Sequence, residues 1–101
     1  MRIQVQKQRK LIDIVYDNLL LDIRSKVFKE ILRNIVRFAN NNNYYYYNFK
    51  HFYTYLKYLG VKDRDIYKLW SDLIREVSKL KDGFDIKYNK YYIRVVKKRF
   101  N

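Results

Sequence analysis

A chain of 101 residues, 49% of them hydrophobic and 19% aromatic, with no proline, can form one domain around a single core. The absence of cysteine rules out disulfides and thiolate metal sites, and His51, the single histidine, cannot assemble a conventional zinc site alone, so no metal or other cofactor is expected. The formal charge of +13 is large for this length and creates a field that attracts polyanions.

No window approaches the roughly eighteen consecutive apolar residues of a membrane span. The N-terminus also lacks the charged, apolar and small-residue order of a signal peptide, so an intracellular location away from membranes is expected. Enzymatic chemistry finds little footing. There is no glycine-rich phosphate loop and no cysteine nucleophile, and Asp63 with Asp65, the closest acid pair, is explained by the pull of a helix N-terminus on negative charge. Neither catalysis nor a small-molecule substrate is expected.

Residues 1–24 admit two readings. Leu11, Ile12, Val15, Tyr16, Leu19 and Leu20 suit a helix, whereas Ile12, Ile14 and Tyr16 facing Ile23, Leu21 and Leu19 suit a hairpin turning at Asp17 and Asn18. The hairpin sets Asp13 against Asp22, a like-charge cost. The helix is apolar nearly all round and needs burial on more than one side. Either way the segment carries more apolar surface than one small domain covers, and it is expected to be a dimerisation element of a homodimer.

A domain of residues 25–101 then begins with a helix over 25–39, striped by Val27, Phe28, Ile31, Leu32, Ile35 and Val36, with Lys29, Arg33 and Arg37 turned away. Asparagines 40–43 are expected to form a loop, because asparagine competes for backbone hydrogen bonds and accepts left-handed geometry. Tyr44–Tyr47 reads as a short strand with two rings buried and two exposed, the other reading being a base-stacking platform. Asn48 is placed to cap a helix running to Leu59 with Phe49, Phe52, Tyr53 and Leu56 on one face. Gly60 permits the backbone of a sharp turn.

The next helix is the clearest element. Ile66, Leu69, Trp70, Leu73, Ile74, Val77 and Leu80 recur at helical spacing, Asp63 is read as the N-cap and Gly83 as the stop. The opposite face gathers Arg64, Tyr67, Lys68, Ser71 and Arg75. A hairpin follows: with Asn89 and Lys90 as a two-residue turn, Tyr88 faces Tyr91, Ile86 faces Ile93 and Phe84 faces Val95, while Asp85 opposes Arg94 and Lys87 opposes Tyr92.

Counting from Gly60, the apolar residues Tyr55, Leu59, Val61, Ile66 and Leu69 resemble the helix-turn-helix pattern, except that Leu56 stands where a small residue is usual. With the basic hairpin added, residues 26–97 resemble the winged helix-turn-helix family, especially small regulators encoded by viruses of hyperthermophilic archaea. The resemblance implies an α+β fold of three helices and a β-hairpin wing, sequence-specific binding of double-stranded DNA and transcriptional control, in the host cytoplasm if the source is viral. It implies a recognition helix carrying Arg64, Tyr67, Lys68, Ser71 and Arg75 toward base edges. The wing and tail, through Lys87, Asn89, Lys90, Lys97, Lys98 and Arg99, would hold the backbone together with Arg2, Lys7, Arg9 and Lys10 at the front. The charge layout agrees with that division: residues 86–101 hold six cations and no acid, whereas 61–85 balance six of each. The rival reading is a protein-interaction module, or a structural nucleoprotein or virion component, built on the same fold.

Overall fold

The computed structural model describes residues 10–99. The chain is α+β. A long helical rod is made of α1 (Leu11–Asp22), a π turn (Ile23–Val27) and α2 (Phe28–Asn42). Strand β1 (Tyr44–Asn48) follows, then α3 (Phe49–Tyr58), α4 (Asp63–Val77), a 3₁₀ turn (Ser78–Leu80) and the hairpin strands β2 (Phe84–Tyr88) and β3 (Tyr92–Lys97). The three strands form one antiparallel sheet in the order β1-β3-β2.

The helical reading of residues 11–22 therefore holds over the hairpin, and the rod runs unbroken across residues 24 and 25. The π turn has a packing reason. Tyr16, Leu19 and Leu20 of α1 and Ile23 at the start of the π turn face the body, and Phe28, Ile31, Ile35 and Ala39 face it from α2. Five positions separate Ile23 from Phe28, a step that a regular 3.6-residue helix would carry well round its axis. The Phe28 N–H bonds back to the Ile23 carbonyl, five residues earlier, and this widened turn restores both stripes to one side.

The core lies between the helices and one face of the sheet. Phe52 and Leu56 from α3, Ile66, Leu69, Leu73 and Val77 from α4, and Ile93 and Val95 from β3 meet α2 there, all but fully removed from water. On β1 the alternation sends Tyr45 and Tyr47 inward and leaves Tyr44 and Tyr46 exposed, so the tyrosine run is a strand.

Four local expectations are corrected. Asn40 to Asn42 continue α2, and only Asn43 leaves it, at φ 70°; one left-handed residue is enough to end a helix. Lys62, not Asp63, occupies the N-cap position of α4, where no side chain caps the helix. The stop comes at Val77, where the chain tightens into the 3₁₀ turn well before Gly83.

The hairpin register is also shifted by two residues. Tyr88 pairs with Ile93, Ile86 with Val95, Phe84 with Lys97 and Lys87 with Arg94, so Tyr88 and Tyr91 do not form the expected apolar pair and Asp85 faces Val96. A two-residue turn at Asn89 and Lys90 would need positive φ at both, and among the described residues Asn43 is the only non-glycine that adopts it. A wider loop forms instead. The Asn89 carboxamide oxygen accepts from the N–H groups of Tyr91 and Tyr92 at 2.8 and 3.0 Å, and Tyr92 pairs with Asn48 of β1. A slip of two keeps every side chain on its expected face, so Ile86, Ile93 and Val95 still point into the core.

Candidate nucleic-acid interface

α3 and α4 meet at a sharp joint. The Asn48 side chain caps α3 by accepting from the Lys50 N–H at 2.7 Å, and Gly60 turns the chain at φ 100° with its N–H bonded to the Lys57 carbonyl. α4 buries Ile66, Leu69, Trp70, Leu73 and Val77. Because that stripe is sealed, Arg64, Tyr67, Lys68, Ser71 and Arg75 are all exposed along the reverse flank. Arg64 and Arg75 keep 78% and 74% of their side-chain surface open to solvent although each lies beside an acid of its own helix, Arg64 at 3.9 Å from Asp65 and Arg75 at 3.5 Å from Asp72.

The hairpin tip is fastened beside this flank. The Trp70 indole N–H donates to the Asn89 carbonyl at 3.3 Å, and the Phe49 N–H donates to the Tyr91 carbonyl at 2.7 Å. Tyr67 stacks on Phe49 with ring centres 5.4 Å apart, and Phe49 meets Trp70 edge-on at 5.1 Å. These contacts frame an open groove of about 650 Å³ whose walls include Tyr67, Trp70 and Ser71 on one side and Asn89, Lys90 and Tyr91 on the other. The Lys90 ammonium lies over the Tyr91 ring at 5.1 Å, so one cation is held at the groove mouth.

The remaining wing and tail cations are placed elsewhere. Lys87 sits on the outer face of the sheet opposite Arg94, whose guanidinium lies 6.0 Å from the Tyr46 ring. Lys97 is at the far end of the hairpin, with its N–H donating to the Asn43 carbonyl, and Lys98 donates its ammonium to the Lys81 carbonyl at 2.6 Å. Arg99 follows, exposed. Tyr67, Ser71, Asn89 and Lys90 are thus brought together, while Lys97, Lys98 and Arg99 mark the opposite end of the ribbon. Lys10 is exposed at the start of α1, and Arg2, Lys7 and Arg9 lie outside the described residues.

The acids of α4 would repel a phosphate backbone if left bare, but each has a partner. Asp63 accepts from the Tyr53 hydroxyl at 2.9 Å and pairs with Lys57 at 3.0 Å. Asp65 accepts from Tyr16, Asp72 from Arg24 at 2.9 Å, and Glu76 pairs with Lys79 at 2.6 Å. Lys57 and Tyr53 hold the Asp63 carboxyl below its ordinary pKa, and the same contact raises both Lys57 and Tyr53. Burial, followed by the bond to Asp65, raises Tyr16, and burial raises Tyr47 far above the ordinary phenol value. Asp72 also lies 3.5 Å from Arg75, which ties one end of the exposed row to the rod through Arg24.

Sequence reasoning missed Tyr16 and Arg24, because their partners are 49 and 48 positions away and no local pattern announces them. Among the described residues no cluster of histidine and carboxylate side chains could hold a metal ion, and no helix is long and apolar enough to cross a membrane. Compared with protein-family models, curated proteins and solved structures, the chain matches none.

Proposed function

We propose that the protein is a winged helix-turn-helix factor that binds double-stranded DNA with sequence preference and regulates transcription. One observation supports this above the others: the exposed row Arg64, Tyr67, Lys68, Ser71 and Arg75 lies on a helix whose other side is sealed, beside a hairpin tip pinned to that helix by the Trp70–Asn89 bond. An α-helix fits the major groove, where arginine and lysine donate to guanine edges and serine and tyrosine reach bases or phosphates. Lys90 at the hairpin tip is placed for an adjacent phosphate. The partnering of Asp63, Asp65, Asp72 and Glu76 lowers the repulsion such docking would meet.

The test is selection of bound duplexes from a random pool, followed by competition against bulk DNA at physiological salt. A regulator enriches one short motif and prefers it by at least about a thousandfold. Equal binding to all duplexes would identify a packaging protein, and no binding would leave an interaction module; either result overturns the proposal.

A further inference from the structure

α1 has two faces, and the body uses one. Tyr16, Leu19 and Leu20 turn inward, as does Ile23 at the start of the π turn, while Leu11, Ile14, Val15 and Leu21 remain exposed, Leu11 by 75% and Leu21 by 62%. Leu11, Ile14, Asn18 and Leu21 follow one another at steps of three, four and three, the spacing of a coiled-coil seam, with Val15 beside them. At about 100° per residue this seam lies on the side of the helix opposite the inward stripe.

We propose that the α1 seam is the self-association surface of the protein, occupied by the same helix of a second copy. Three features select this occupant. The seam is polar only near its middle, at Asn18, and a two-fold arrangement centred there sets each Asn18 amide against its counterpart, in parallel or antiparallel order, so the polar group is satisfied by itself. Two such faces pressed together remove surface on the order of 1,000 Å², the scale at which a specific interface holds. Finally, Leu11–Asp22 contains three aspartates and no lysine or arginine in a chain of net charge +13. A locally acidic stretch lowers the repulsion between two strongly basic molecules that meet there, and it is a poor surface for a polyanion. The seam stands independently of the DNA reading; if that reading holds, the dimer presents two α4 flanks.

Sedimentation of the full chain at tens of micromolar is expected to give twice the 12.7 kDa chain mass. Leu21→Lys should halve that mass while the helical circular dichroism is retained. Because the chain has no cysteine, Asn18→Cys introduces one thiol, and mild oxidation should convert the protein almost wholly to a covalent dimer, whereas Lys81→Cys should not cross-link. A parent that stays monomeric, a Leu21→Lys protein that stays dimeric, or Asn18→Cys chains that cross-link no faster than Lys81→Cys chains would overturn the proposal. If Leu21→Lys fails to fold, the cysteine pair decides. DNA binding by the monomeric variant is measured separately, so neither result depends on the other.

Discussion

The Tyr16 hydroxyl donates to the Asp65 carboxylate at 2.5 Å and accepts the Lys62 N–H at 2.9 Å, so one phenol from α1 clasps the first turn of α4. The N-cap position of α4 supplies no side-chain cap, and Tyr16 satisfies one of the N–H groups near that end from another element. Tyr16→Phe keeps the ring over the Lys62 ammonium, 4.9 Å from its centre, and removes both hydrogen bonds. A loss of about 1–2 kcal/mol is expected, seen as a lower urea midpoint with an unchanged slope. An unaltered midpoint would show that the clasp contributes nothing.

Gly60 is needed for its backbone. An added Cβ would meet only the Leu19 side chain at 3.9 Å, an ordinary contact, but φ is 100°. Gly60→Ala should therefore cost roughly 1–2 kcal/mol from backbone strain alone, and Gly60→Asn less, because asparagine tolerates positive φ. Thermal unfolding of the two variants beside the parent checks both the size and the order.

Under the proposed function, the hairpin and the exposed flank of α4 have separable roles. Replacing Lys90 and Lys87 by alanine should weaken binding to every duplex alike and reduce the salt slope by about one for each phosphate that is no longer neutralised. Lys68→Ala or Arg64→Ala should instead reduce the preference for the selected duplex by about 1–3 kcal/mol for each base edge that is no longer read. Titrations at several salt concentrations, with selected and scrambled duplexes, distinguish these outcomes. Parent-like behaviour in all four would show that these residues do not carry the assigned roles.

Acid should loosen the Asp63 tie. The folded-state pKa lies below the ordinary 3.8, because Lys57 and Tyr53 stabilise the carboxylate. The contribution is therefore complete above that value and is lost as pH falls through the lowered one. Asp63→Asn should be less stable than the parent at pH 7, and the gap should narrow as the pH falls below the ordinary 3.8. A gap that stays constant across that range would mean that charge plays no part.

Elements set by local periodicity were legible in the sequence. The Ile66–Val77 stripe, the Asn48 cap, the Gly60 turn and the inward and outward alternation of Tyr44–Tyr47 follow from side-chain spacing and backbone tolerance, and the structure contains each of them. What was not legible depends on distant partners. The hairpin register is decided by Trp70 holding Asn89 and by β1 pairing with Tyr92, neither visible in the Asn-Lys turn itself. Helical spacing offered a helix for α1 as one of two readings, but its docking against α4, with Tyr16 meeting Asp65 and Arg24 of the π turn meeting Asp72, uses contacts that no window of neighbouring residues contains. For the exposed row, the spacing that buries Trp70 also dictates that Tyr67 and Lys68 face outward, so their exposure was legible although their target was not.

The widened turn at Ile23–Val27 acts as a phase setter. One surplus residue aligns the bearing of α1 with that of α2, so the angular offset between the front of the rod and the rest of the molecule is counted in whole residues and cannot drift continuously. Removing a single position there would leave every side chain of α1 intact yet swing its two sides by roughly a quarter turn, carrying both the inward stripe and the outward aliphatic row off their bearings.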